Sequence, residues 1–313
     1  MDNPYVILAL ATLPAAYILG HLLNQDKNDA NNTIVYQLFF VGFVLSIPIV
    51  YAELFLLKNI LQANAFTNSF LVASLIEEGS KFIVLLIVVY GNKFNLYKTI
   101  LCSLGVSLGF ATVENIVYIF PELISSGGDA ATSIGFLRAF SAVPLHACCA
   151  YFMGFYMWDG LFSSENKAEK TTISGNISAF LIPFFIHGFY NYFIMSETIP
   201  GWFSLIYITL ISYFLYEINE TVLAFHKSKL EKVKFSWKAG LIAKPGDGEV
   251  HDFTSYRDQY VDIYVILLII SFIVITVFFQ TWLFVLFKVL LNSIINFFDY
   301  IRIELIQLLG GTS

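Results

Sequence analysis

Charged residues are scarce in this chain of 313 residues: Asp, Glu, Lys and Arg make up 13% of it, against about 25% in soluble globular domains. Basic residues do not dominate, and the net charge of −6 leaves no basic patch for nucleic acid. The three cysteines all lie in apolar runs, which excludes a disulfide framework. The sequence also lacks HExxH, the pair of zinc-binding histidines spaced for one helix face.

Apolar residues are abundant instead, at 58% of the chain, and the mean hydropathy is +0.73. They fall into runs long enough to cross a bilayer, which takes about 20 residues of helix. The sequence therefore predicts an all-α, polytopic transmembrane bundle of about eight helices. The predicted spans are 4–23, 34–57, 69–90, 97–120, 134–161, 174–195, 200–225 and 261–287.

Three regions follow from this pattern. Residues 1–225 form the membrane-embedded core, in which helices between 69 and 195 carry the chemical motifs described below. Residues 226–260 are polar and Lys-rich, and we interpret them as a cytoplasmic linker or small hairpin. Residues 261–313 supply the final span and an amphipathic tail, which is typical of a helix lying at the lipid interface.

The orientation is predicted from the loops, because Lys and Arg are enriched on the cytoplasmic side. With eight spans, twelve of the 17 basic residues fall on one side and three fall on the side of the N-terminus. We therefore expect a multi-pass protein of the plasma membrane with its N-terminus and the loop at 121–133 outside. The two remaining basic residues, Lys81 and Arg138, lie within spans.

Ionisable residues inside the spans are the informative ones, because each costs several kcal/mol in lipid unless it is paired or hydrated. Several of them occur on four consecutive predicted helices, the third to the sixth. At 1.5 Å rise per residue, all lie at compatible depths near the outer side. We therefore expect one water-accessible cavity, open to the outside. The residues that line it are Glu77, Glu78, Lys81, Glu114, Asn115, Arg138, His146, His187 and Asn191.

The spacing within the third span supports an acid/base site. Lys81 follows Glu77 by four residues and Glu78 by three, so that it can neutralise either carboxylate. Two carboxylates held close together give one of them a pKa suited to general acid/base chemistry. His187 and Asn191 share a helix face for the same geometric reason.

Taken in order, these residues resemble the PrsW family of intramembrane proteases over most of 69–195. The EExxK motif of the family is similar to Glu77, Glu78 and Lys81, and its FxxxEN motif to Phe110, Glu114 and Asn115. A third motif, a His with a Gly eight residues on, resembles His146 and Gly154, downstream of Arg138 and Pro144, and the last, HxxxD/N, resembles His187 and Asn191.

The resemblance implies hydrolysis of a peptide bond in a single-pass membrane protein, since PrsW makes the first cut in a membrane-bound anti-sigma factor on its extracytoplasmic side. Under this reading Glu77 or Glu78 is the general base. The other carboxylate, with His187, holds the water or protonates the leaving amine. Asn115 or Asn191 donates to the oxyanion.

Two versions of the mechanism remain open, one that uses glutamates alone and one that uses a metal. In the second version Glu78, His146 and His187 hold a zinc ion, since two His and one carboxylate make a known catalytic zinc set. Lys81, Asn115, Arg138 and Asn191 then support the catalytic residues, which include Glu114.

Other functions fit parts of the pattern. A CAAX-type prenyl endopeptidase or bacteriocin-immunity-like protease shares the double-Glu helix and two His-bearing helices. A proton-coupled transporter also uses intramembrane Glu, His and Lys. A non-catalytic scaffold that kept the fold is a further alternative.

Overall fold

The computed structural model describes residues 4–25, 32–59, 64–92, 94–162, 170–230, 234–236 and 241–243. Within them the chain forms α-helices, one π-helix and one short hairpin, which confirms the predicted all-α membrane bundle. The elements are α1 (Pro4–Leu23), α2 (Thr33–Asn59), the π-helix (Thr67–Ser74), α3 (Leu75–Gly91), α4 (Leu96–Ser126), α5 (Gly128–Phe140), α6 (Ala142–Phe162), α7 (Lys170–Met195), α8 (Trp202–Leu230), β1 (Lys234–Ser236) and β2 (Leu241–Ala243).

The predicted spans correspond to these helices for the first seven runs. The eighth run, 261–287, and the tail after it lie outside the described residues. By length and composition, five helical segments of the described chain can cross a membrane. They are Pro4–Leu23, Thr33–Leu57, Leu96–Ser126, Gly128–Leu161 and Gly175–Met195.

The prediction of a loop at 121–133 is wrong, because nearly all of these residues are helical. Helix α4 continues to Ser126 and α5 begins at Gly128, so that only Gly127 separates them. Gly127 has a φ of 90°, a conformation open to glycine because it has no Cβ. One residue therefore makes the connection for which the polar composition suggested a longer segment.

The fifth predicted span, 134–161, is likewise two helices, α5 and α6, with a break at Ser141. The Ser141 hydroxyl donates to the carbonyl of Leu137 at 2.6 Å and accepts from the Tyr190 hydroxyl at 2.7 Å. The bond from Tyr190 holds the break against α7. Arg138 therefore comes from the last turn of one helix and His146 from the first turns of the next.

Helix α4 is the centre of the bundle, and every residue from 96 to 115 is buried. Glycines let its neighbours approach closely. A Cβ on Gly105 would come within 2.6 Å of the Val35 carbonyl oxygen on α2. A Cβ on Gly154 would come within 2.7 Å of the Ile100 Cα, which brings α6 against α4. Small residues at such contacts are typical of helix packing in membranes.

The third predicted span is formed by the π-helix followed directly by α3. π-Helical turns are rare and often occur at functional sites. The Ser74 hydroxyl at the end of this turn donates to the backbone carbonyl of Phe184 on α7. The turn is therefore tied to α7 three residues before Glu77, the first carboxylate of α3.

The chain divides into two compact units, Met1–Val233 and Lys234–Ser313. In the second unit, β1 and β2 pair antiparallel, with Phe235 opposite Ile242. Helix α8 continues to Leu230, past residue 226, at which the predicted linker begins.

Candidate active site

The first turns of α3 place two carboxylates around one lysine. The Lys81 Nζ lies 3.2 Å from Glu77 Oε2 and 2.8 Å from Glu78 Oε1. These are the i,i+4 and i,i+3 pairs expected from the sequence, and Lys81 engages both carboxylates at once. The ammonium also lies 4.3 Å from the centre of the Phe110 ring on α4, where a cation is attracted to the π face.

Helix α7 brings His187 to the same carboxylate. Its Nδ1 lies 2.8 Å from Glu78 Oε1. An ionised carboxylate only accepts hydrogen bonds, so Nδ1 carries the proton. The next residue, Gly188, lies against the Phe70 ring of the π-helix, and a Cβ there would come within 2.4 Å of that ring. This close contact allows α7 to approach the start of α3.

Helix α6 supplies the second imidazole. The His146 Nε2 lies 2.6 Å from Glu114 Oε2 on α4, and its Nδ1 lies 3.1 Å from Lys81 Nζ. An ammonium has no acceptor, so Nδ1 must accept and Nε2–H must donate to Glu114. His146 therefore bridges Lys81 to Glu114. The rings of His146 and His187 meet edge to face, with centroids 5.2 Å apart.

A second group of residues, which we call the outer relay, continues from Glu114. The Arg138 Nη2 lies 3.0 Å from Glu114 Oε1, and Arg138 Nε donates to Asn115 Oδ1 at 2.7 Å. Asn115 Nδ2 in turn donates to the Ala11 carbonyl on α1 at 3.3 Å. The outer relay therefore connects the first helix of the chain to His146.

Eight of the nine predicted site residues thus meet in one connected network, from α3 to α7. Asn191 is the exception: it is half-buried on α7, and within the described part of the chain it makes no hydrogen bond to this network. One helical turn separates it from His187, but its amide does not reach Glu78.

The carboxylates, lysine and imidazoles at the centre of the network are closed off, which corrects our expectation of a cavity open to the outside. Glu78 is 0% exposed, and Glu77, Lys81, His146 and His187 are each at most 3% exposed. Polar groups attract one another as well as water, and here most of them are hydrogen-bonded to one another across the packed helices. The presence of these ionisable side chains in the predicted spans indicated that they would contact one another. It did not indicate that the contacts would close them off from solvent.

Glu53 on α2 is a residue that we missed. Its Oε1 is buried and, among the described residues, has no hydrogen-bond partner. The side chain interacts electrostatically with Glu77, Glu114 and Lys81. The sequence does indicate this residue, because Glu53 is ionisable and lies inside the predicted span 34–57.

Four residues of the network have the donor set of a metal site. One ligand atom from each of Glu77, Glu78, His146 and His187 lies within 4.8 Å of the others, and all four residues are buried. The Oε2 of Glu78 is buried without a hydrogen-bond partner in the described chain. His187, with its proton on Nδ1, keeps a lone pair on Nε2 when the ring is neutral. This chemistry fits a zinc ion.

Comparison with known proteins places these residues in one family. The family described as "PrsW family intramembrane metalloprotease" matches residues 31–216. Protease PrsW of Oceanobacillus iheyensis is 31% identical over 188 residues, which cover 59% of this chain and 81% of that protein. Protease PrsW of Bacillus subtilis is 31% identical over 195 residues, 61% of this chain and 84% of that protein. No solved structure matches the chain.

Proposed function

Since this chain belongs to the PrsW family of intramembrane proteases, we propose that it cuts a membrane-bound protein on the extracytoplasmic side of the plasma membrane. The observation that carries the proposal is the contact of Glu78 with both Lys81 and His187 beside Glu77. Two carboxylates and two imidazoles within one buried group supply the base, the acid and the water-holding groups that amide hydrolysis needs.

Glu77 is the general base in this proposal. Its carboxylate has one polar side-chain contact among the described residues, the 3.2 Å pair with Lys81. Glu78 is held more firmly, by Lys81 and His187 on the same oxygen. The less restrained carboxylate is the one that can turn towards a water molecule and take its proton. Removing such a base costs about 10²- to 10⁴-fold in rate.

Glu78 and His187 orient the reacting groups. Glu78 accepts the Nδ1 proton of His187, and this bond fixes the orientation of the ring. Glu114 does the same for His146 through Nε2. We therefore assign Glu114 a positioning role through His146, supported by Arg138 and Asn115.

In the metal-dependent version, Glu78, His146 and His187 hold zinc. When bound, zinc supplies Lewis acidity and lowers the pKa of a bound water to about 7. The protein's part is then to hold the ligands: Glu114 orients His146, as carboxylates commonly do for metal-bound histidines. The unpartnered Oε2 of Glu78 supports this version over the one that uses glutamates alone.

Asn191 is the oxyanion donor that the geometry leaves available. Asn115 is 0% exposed, and its side chain already accepts from Arg138 at Oδ1 and donates from Nδ2 to the Ala11 carbonyl. Asn191 lies one turn from His187 and does not bond to the network. Its amide is therefore uncommitted when substrate enters. Loss of one oxyanion donor costs about 10²- to 10³-fold in the best-studied case.

A single-pass protein such as an anti-sigma factor is the proposed substrate, embedded in the same lipid bilayer. The test compares the membrane proteomes of cells that carry the wild-type chain or the Glu77→Gln, Glu78→Gln pair. We expect one single-pass protein to keep its outer domain only in the variant cells. An unchanged set of membrane proteins would contradict the proposal.

Chelation separates the two mechanisms. The purified chain is treated with a zinc chelator, cleavage of a reporter is measured, and zinc is then restored. The metal-dependent version predicts loss and recovery of cleavage, and full activity after complete metal removal would leave the version with glutamates alone.

A topology reporter tests which side of the membrane the connection after α4 faces. Fused after residue 128, it is expected to report an extracytoplasmic position, as the distribution of Lys and Arg predicts. A cytoplasmic signal would move the proposed site to the other face and would favour a substrate exposed there.

A further inference from the structure

Lys81 occupies the centre of the network, and this position has a consequence for any bound metal. Its side chain is 1% exposed. Its Nζ lies 2.8 Å from Glu78 Oε1, 3.2 Å from Glu77 Oε2 and 3.1 Å from His146 Nδ1. An ammonium has three donors, and these three acceptors use all of them.

The hydrogen bonds of His146 leave it a single lone pair. Its Nε2–H is directed to Glu114 at 2.6 Å, so that only Nδ1 has a lone pair to give. That lone pair accepts from Lys81. A metal ion needs the lone pair of a neutral imidazole, and one lone pair cannot serve an ammonium and a metal together.

The overlap extends to the carboxylates. Lys81 contacts three of the four residues whose donor atoms lie within 4.8 Å of one another, namely Glu77, Glu78 and His146. A second cation in this group would also be repelled by the ammonium, and in a buried site such repulsion is only weakly screened.

We propose that Lys81 is a built-in cation that competes with a divalent metal for this site, so that a metal binds through His146 only when the Lys81 side chain moves away. The inference rests on the metal-dependent version of the proposed function. In it, Lys81 neutralises the buried carboxylates when no metal is bound and weakens metal binding. It is therefore not a supporting group for the metal.

Lys81 is expected to weaken metal binding and to stabilise the metal-free protein. Its removal should therefore change these two quantities in opposite directions, and this makes the inference testable. In Lys81→Gln or Lys81→Met, zinc affinity is expected to rise by about tenfold or more, because a competing charge is lost. The same variants are expected to unfold at lower temperature without metal, because Glu77 and Glu78 lose their buried partner. Added zinc should then restore more thermal stability to the variants than to wild type.

The experiment uses the full chain in detergent, with zinc affinity measured by competition with a chromogenic chelator and unfolding followed with and without zinc. The matched control is Lys98→Gln: Lys98 is also a buried lysine on a span, and it donates to Asn32 Oδ1 at 3.0 Å outside the network. Its loss should leave zinc affinity unchanged.

Lys81→Arg covers the case in which the neutral variants do not fold. Arginine keeps the cation, so its zinc affinity should be no higher than that of wild type. A rise in Lys81→Arg, or an equal or lower affinity in the neutral variants, would overturn the competition. Absence of zinc binding in all variants would overturn it too. Reporter cleavage by the wild-type chain tests the protease function separately.

Discussion

The two ends of α4 bury polar groups in different ways. At its C-terminal part, Glu114 and Asn115 join a network of carboxylates, imidazoles and cations from five helices. At its N-terminus, Lys98 donates to the neutral Asn32 amide, and the Tyr97 hydroxyl lies 2.8 Å from the Leu22 carbonyl. The residues are comparably buried, at 9% exposed or less.

The difference lies in the partners. At the N-terminal end, the Lys98 ammonium bonds to an amide oxygen and the Tyr97 hydroxyl to an amide and a backbone oxygen, which are the kinds of hydrogen bond that join helices in membranes. The network at Glu114 brings together three carboxylates and two imidazoles around only two cations, Lys81 and Arg138. Two carboxylates would be enough to neutralise the two cations. Buried charge in excess of its structural need is expected at a functional site.

The largest effect that would test this contrast is loss of cleavage in Glu77→Gln and in Glu78→Gln. We expect each to reduce the rate by about 10²- to 10⁴-fold, because the base or its water-holding partner loses its charge. The measurement is cleavage of a single-pass reporter in membranes. The exposed Glu220→Gln on α8 is the control, and wild-type rates in both site variants would remove these residues from the chemistry.

Glu114→Gln should have the next largest effect. It weakens the bond that orients His146 and leaves Arg138 without its carboxylate, so cleavage is expected to fall by about 10- to 100-fold. Zinc affinity measured by chelator competition should fall by a similar factor. Reduced cleavage with unchanged zinc affinity would place Glu114 on the substrate instead of behind His146.

Asn115→Ala should act more weakly and mainly on folding. It removes one bond to Arg138 and one to the Ala11 carbonyl, which together stabilise the fold by about 1 to 3 kcal/mol. Thermal unfolding in detergent measures this loss. Cleavage should change less than in Glu114→Gln; a larger loss of activity would show that Asn115 contacts the substrate.

Lys98→Gln should have the smallest effect on cleavage, within about twofold of wild type. Lys98 lies about four turns of α4 from Glu114, and its bond to Asn32 is outside the network. A rate comparable to that of Glu77→Gln would contradict the contrast between the two ends. The same reporter assay provides the measurement.

Particular residues show what the sequence could predict. Glu78, Lys81 and His187 were identifiable because a charge in an apolar run needs a partner, and the nearest partners on consecutive helices are few. Glu53 met the same criterion, but it was overlooked because a single carboxylate has no spacing pattern. The closed network was not predictable, since access depends on how tightly Gly154 and Gly188 let the helices pack. The one-residue turn at Gly127 was hidden by a polar composition typical of longer loops.

The burial of Glu78 has a consequence for turnover. Glu77, the proposed base, is 3% exposed and Glu78 is 0% exposed, so in the proposed mechanism the packed helices must part before a peptide bond can reach them. The observed rate then contains the frequency of that opening as well as the chemistry. While the helices stay packed, other proteins in the same bilayer are not cleaved. Lipids that order or loosen helix packing should therefore change the rate of cleavage without contacting the glutamates.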